Sequence, residues 1–127
     1  MPVLPPPVFE IYYAPTCAPC RLDLPVAAEL VKRNGVTLQI VIVNDPPKAL
    51  EDFRTISPAL EKAAHVPAEQ DPRAVLRRAG DPDGILPYAR TRDGGKTCAT
   101  WRGRLSLDKA LQMIAACKKR LTAPPSR

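Results

Sequence analysis

The chain has 127 residues, enough for one domain with a real core, and its 45% hydrophobic and 25% charged residues are ordinary for a globular protein. No apolar run reaches the length of a membrane span, and no basic region followed by an apolar stretch opens the chain, so no signal peptide is present as written. The net charge of +6 is scattered and aromatics are only 5%, which argues against a nucleic-acid groove.

In chain order, residues 1–7 carry four prolines and read as an extended N-terminal segment. Val8-Phe9-Glu10-Ile11-Tyr12-Tyr13 is aromatic and β-branched, the composition of a strand. Ala14-Pro15-Thr16 breaks it, and a helix is expected over about residues 18–33. Pro19 falls in its first turn, where a missing N–H is harmless. Leu22, Val26, Leu30 and Val31 share one face, and Asn34-Gly35 signals the end. Residues 36–43 form a β-branched run of the kind buried in parallel sheets, which completes a βαβ unit.

Asp45-Pro46, Ser57-Pro58 and Asp71-Pro72 each put a capping residue before a proline at the first helical position. Short helices are expected at about 48–54, 58–64 and 72–79, with Leu60, Val75 and Leu76 facing the core. His65, the only histidine, ends the second of them and has no cysteine or carboxylate at ligand spacing, so it reads as structural. Strands at 88–92 and 97–102 flank Asp93-Gly94-Gly95-Lys96 as a hairpin, with Trp101 expected opposite Tyr88. Arg90 and Arg92 share a strand face that reads as solvated, with recognition of an acidic partner as the second reading. Ser106 is the expected cap of a last helix reaching about residue 120, with Leu107, Leu111, Ile114 and Leu121 on one face. Lys118-Lys119-Arg120 closes it, where cations oppose the helix dipole, and residues 122–127 read as a tail.

Four cysteines are too few for a disulfide scaffold. Cys17 and Cys20 stand at C-x-x-C spacing where strand gives way to helix. A sulfur at a helix N-terminus meets unpaired N–H groups and the positive end of the dipole, which favours the thiolate. A redox dithiol is the first reading, with half of a metal site or an inert disulfide as alternatives. Cys98 and Cys117 read by default as small buried apolar residues. A second disulfide is their alternative, because the last helix must pack near the last strand.

This order of elements, with C-x-x-C opening the first helix, resembles the thioredoxin superfamily. Cys17-Ala18-Pro19-Cys20 is one residue from the thioredoxin C-G-P-C, and Pro25 stands at the offset of that family's kinking proline. Leu86-Pro87 resembles the family's apolar residue and cis-proline beside the active site, and Gly95 and Gly103 match its hairpin-turn and strand-end glycines. The match covers residues 8–44 and 85–120. It implies an α/β thioredoxin-like fold over 8–121, a central mixed β-sheet flanked by helices in the order β-α-β, helical insertion at about 46–84, β-β-α. It implies thiol–disulfide exchange on protein disulfides, with Cys17 as exposed nucleophile, Cys20 as resolving thiol, and substrate contacts from Thr16, Ala18, Pro19, Leu86 and Pro87. It implies no cofactor beyond the Cys17–Cys20 pair and no metal. The partners it implies for a monomer are protein thiols or disulfides and an upstream redox partner, without nucleic acid or a membrane span. Thr16 stands where thioredoxins carry a tryptophan, and Ile11 where they carry a buried acid; Glu10 is one position off, on the other strand face. The alternative function is a module of the same fold that binds copper or zinc, or docks a partner, with little redox turnover. As written the chain is expected in the cytoplasm, or in the periplasm if Met1 replaces a removed leader.

Overall fold

The computed structural model describes residues 5–122, with side chains through Lys118. Residues 1–4 of the expected N-terminal segment, residues 123–127 of the tail, and the side chains of Lys119, Arg120 and Leu121 lie outside the described residues. The elements are β1 (Val8–Tyr13), α1 (Ala18–Leu22), α2 (Leu24–Val31), β2 (Thr37–Ile42), α3 (Pro46–Ile56), α4 (Pro58–Ala63), β3 (Ala64–His65), α5 (Pro72–Arg78), β4 (Tyr88–Asp93), β5 (Lys96–Arg102) and α6 (Leu107–Thr122). They build one mixed sheet in the order β3-β2-β1-β4-β5. β1 and β2 pair in parallel from Val8↔Thr37 to Tyr13↔Ile42, and β4 runs antiparallel to β1.

Alternation along the central strands sorts their side chains onto two unequal faces. Phe9, Ile11, Tyr13, Leu38, Ile40 and Ile42 face the larger core, where α2, α3, α4 and α6 supply Leu30, Phe53, Leu60 and Met113. Tyr12, Val41, Val43 and Tyr88 face the other way and meet α5 through Val75, Leu76 and Ala79. The Tyr13 hydroxyl donates to Asp52 Oδ2 at 2.6 Å, which ties the end of β1 to α3. Burial, together with that carboxylate, pushes the Tyr13 hydroxyl pKa well up.

Several expectations are corrected by the structure. The single helix over 18–33 is two helices broken at Asp23, because Pro25 has no N–H to offer the Arg21 carbonyl. His65 lies in β3, a two-residue edge strand pairing with Val41, rather than at a helix end. Trp101 pairs with Ala89 and Tyr88 with Arg102, so Trp101 and Tyr88 project to opposite faces and do not stack. Trp101 instead donates from Nε1 to the Arg104 carbonyl at 2.8 Å. On α6 the buried positions are Ala110, Met113, Ile114 and Cys117, while Leu107 and Leu111 pack at the margin. Ser106 caps α6 as expected, its Oγ accepting from the Lys109 N–H at 3.1 Å.

Arg90 and Arg92 do not simply face solvent: their side chains are 19% and 26% exposed. Glu10 lies directly opposite Arg90 across the β1–β4 ladder, and its carboxylate accepts from Arg90 Nε, from Arg92 Nε at 2.7 Å and from the Tyr12 hydroxyl at 2.8 Å. Glu10 is only 5% exposed. Burial alone would raise its pKa, but the hydrogen bonds from Arg90, Arg92 and Tyr12 outweigh that and hold it below the ordinary value. A lowered folded-state pKa means that the network stabilises the fold above the unfolded pKa and loses that contribution as pH falls through the folded one.

Cys98 and Cys117 are bonded to each other, with a Cα–Cα distance of 5.0 Å, and this overturns the default reading of two free cysteines. A β-bulge lies at this point: Thr91 pairs with Ala99 and Arg92 with Thr97, which leaves Cys98 without a partner on β4. Its disulfide partner Cys117 is fully buried on α6.

Glu10→Gln is expected to lower stability by about 2–4 kcal/mol at pH 7. It should also flatten the loss of stability below about pH 4.5, measured by urea unfolding across pH. Cys98→Ala/Cys117→Ala is expected to cost about 3 kcal/mol, from opening a loop of sequence separation 19. Denaturant unfolding of that double variant, with Cys17–Cys20 intact, checks it.

Candidate active site

β1 ends at Tyr13, and a turn closed by the Cys17 N–H on the Ala14 carbonyl (3.0 Å) swings the chain into α1. Cys17 is the N-cap of α1, in extended conformation, and its Sγ accepts the Cys20 N–H at 3.2 Å. Pro19 fits here because the first turn has no use for its missing N–H. No acidic residue lies in that turn to oppose a negative sulfur. Cys17 and Cys20 form a disulfide with Cα–Cα 5.2 Å. The two sulfurs are unequal: Cys17 is partly exposed, whereas Cys20 is 2% exposed.

The Leu86–Pro87 peptide is cis. Leu86 and Cys17 pack against the same apolar clusters, and Pro87 shares with Cys20 a small cavity also lined by Ile11, Asp23 and Leu105. The structure thus brings Cys17, Cys20, Leu86 and Pro87 together. Thr16 and Ala18 are exposed beside Cys17, and Pro19 is half-buried. Leu22 and Ile85, next to these residues in the chain, are 60% and 58% exposed, unusual for large apolar side chains.

Two buried carboxylates of this region are invisible to motif reading. Asp23, at the break between α1 and α2, accepts from Arg104 Nε at 2.8 Å and from the Leu105 N–H at 3.0 Å. This ties the helix behind Cys20 to the segment leaving β5. The sequence signal was an aspartate inside an apolar helical face, two residues before a proline. Asp81, fully buried, accepts from the Asp83 N–H (3.3 Å), the Ile85 N–H (3.2 Å) and Arg102 Nη2. Arg102 also reaches Asp83 at 2.6 Å. These bonds fold the stretch before Leu86 onto β5. The run Asp81-Pro82-Asp83-Gly84 does carry the signature of an Asx turn.

A separate groove lies elsewhere. It measures ≈ 380 Å³, on the α5 face of the sheet, and is lined by Glu10, Tyr12, Val41, His65, Arg78 and Arg92 among others. The cysteines do not line it. Among the described residues no three His, Cys, Asp or Glu side chains gather as metal ligands. No helix among them is long and apolar enough to cross a membrane.

No protein-family model and no curated protein matches this sequence. Solved structures do match in shape. A thioredoxin-related protein from Neisseria meningitidis serogroup B superposes with a TM-score of 0.73 at 17% identity, covering 92% of this chain and 89% of that one. MTB DsbF, solved in mixed oxidised and reduced forms, gives 0.65 at 23% identity over 89% and 81% of the chains. A secreted Mycobacterium tuberculosis disulfide oxidoreductase homologous to E. coli DsbE gives 0.65 at 16% identity over 87% and 81%.

Asp81→Ala orphans two backbone N–H groups and one face of Arg102. It is expected to destabilise the fold by about 2–3 kcal/mol and to speed amide exchange at Asp83 and Ile85, read by hydrogen–deuterium exchange.

Proposed function

The chain has the thioredoxin fold, and from that premise we propose that it is a thiol–disulfide oxidoreductase acting on protein disulfides through Cys17 and Cys20. The observation that carries the reading is the asymmetry of the pair. An accessible sulfur caps a helix and accepts an N–H, with a buried sulfur beneath it and an apolar cis-proline loop packed alongside.

In the reducing direction the Cys17 thiolate attacks one sulfur of a substrate disulfide. The substrate S–S bond breaks, one substrate sulfur leaves as a thiolate and takes up a proton, and a mixed disulfide with Cys17 forms. Cys20 then loses its proton and attacks Cys17 Sγ. The mixed disulfide breaks, the second substrate thiolate leaves, and Cys17–Cys20 closes, so two electrons have passed from the dithiol to the substrate. Asp23, held by Arg104 and the Leu105 N–H, lines the small cavity shared with Cys20. Run backwards, the same steps oxidise a substrate dithiol. Thr16, Ala18, Pro19, Leu86 and Pro87 border the attacked sulfur and hold the substrate. No cofactor beyond the cysteine pair enters these steps.

The other disulfide bears on the compartment. Cys98–Cys117 is not part of the C-x-x-C pair, and structural disulfides persist where the surroundings are oxidising. This supports an extracytoplasmic site, the alternative named from sequence, over the cytoplasm. The similar Mycobacterium tuberculosis protein is itself a secreted one.

Reduction of insulin by dithiothreitol is expected to be catalysed by the wild type, abolished in Cys17→Ser, and stalled in Cys20→Ser as a mixed disulfide visible on a non-reducing gel. A wild type that turns nothing over and holds a stoichiometric equivalent of copper or zinc would overturn the reading.

A further inference from the structure

Helix α5 carries unpaired positive charge beside the loop that leads to Leu86. Its inner residues Val75, Leu76 and Ala79 belong to the apolar cluster onto which Cys17 and Leu86 pack. Its first turn presses on the loop before Leu86, since a Cβ at Gly84 would stand 3.0 Å from Arg73 Cγ and 3.1 Å from Arg73 Cα. Gly84 also has φ +64°, so both space and backbone keep that position glycine. Beyond its last turn, the Ala79 carbonyl accepts from the Tyr88 hydroxyl at 2.8 Å and from Arg90 Nη1 at 3.2 Å. The helix is therefore fixed against the Ile85-Leu86-Pro87 platform at both ends.

Its outer face carries Arg73 and Arg77, one turn apart and both exposed. Neither makes an ion pair or hydrogen bond among the described residues, unlike the arginines on the neighbouring strand. Of the acids close in sequence, Asp81 and Asp83 are held by Arg102, while Glu69 stands just before the helix without an ion pair among the described residues. Asp71, exposed at the start of α5, is the remaining counter-charge on that helix. Guanidinium groups left free at a fixed spacing suit carboxylates, which they bind through paired N–H donors.

We propose that α5 is a docking wall for an acidic segment of the protein that exchanges disulfides with Cys17. The partner's apolar residues would lie on exposed Ile85 and on Leu86, and its carboxylates against Arg73 and Arg77. The proposal rests on the redox reading and deepens it by naming the chemistry of the partner. Such rim charges act on encounter and orientation, so their effect appears in the second-order rate and is screened by salt.

The test uses reduced full-length protein in single turnover with two disulfide peptides, identical at the cysteines and flanked by glutamates in one and lysines in the other. Neutral hydroxyethyl disulfide is the control. The glutamate peptide is expected to react about tenfold faster, with the preference lost at about 0.5 M salt. Arg73→Glu/Arg77→Glu should abolish or reverse the preference, and Arg73→Gln/Arg77→Gln should reduce it. Hydroxyethyl disulfide should react unchanged throughout. Equal rates for the two peptides in the wild type, or a preference that survives in the glutamate double variant, would overturn the proposal. Loss of reaction with hydroxyethyl disulfide in the wild type would instead strike the redox reading. Docking would then be judged by titrating serine-substituted peptides onto the protein, where equal affinity for the two sequences defeats it.

Discussion

Pro25 has no N–H to donate, so the helix behind Cys20 cannot run straight, and Asp23 at the resulting break reaches sideways to Arg104 and the Leu105 amide. Much of the site depends on this arrangement. It pins the short helix that begins at Cys17 to the far end of the hairpin, and it closes the cavity in which Cys20 sits. An unpaired carboxylate at that depth would be costly, and the two donors that satisfy it come from a distant part of the chain. The bend made by one residue is thereby converted into a long-range contact by another.

The sheet divides the labour between its faces. One face carries the larger core, built with α1, α2, α3, α4 and α6, while the other meets α5 and keeps charged residues at its centre. Glu10 can be buried there because β1 and β4 are antiparallel neighbours, which sets Arg90 opposite it and Arg92 one step along the same face. The last part of the connection from β2 to β4, α5 and the Asp81 turn, lies on the thinner side.

Strands and most helices were legible in the sequence because local rules govern them. The β-branched run before Asn44, the Asp-Pro and Ser-Pro starts of α3, α4 and α5, and the Asp93–Lys96 turn each state their structure within a few residues. The cysteine pair and its cis-proline were legible through likeness to a known pattern. What escaped were facts of pairing. Whether Arg90 is solvated depends on the register of a strand 80 residues away, which sets Glu10 opposite it, and a one-residue bulge decides the facing of Trp101. Asp23 and Asp81 looked like an awkward helix residue and a loop residue until their donors were brought to them by the fold.

The bulge at Cys98 also shapes the outer edge of the sheet. β5 is an outer strand of the sheet, and an outer strand offers a row of open backbone groups on which a second chain can add. An extra residue spoils the regular repeat of that row, and Lys96 and Arg102 place charge at its two ends. The irregularity therefore makes the open side of β5 a poorer template for edge-to-edge association.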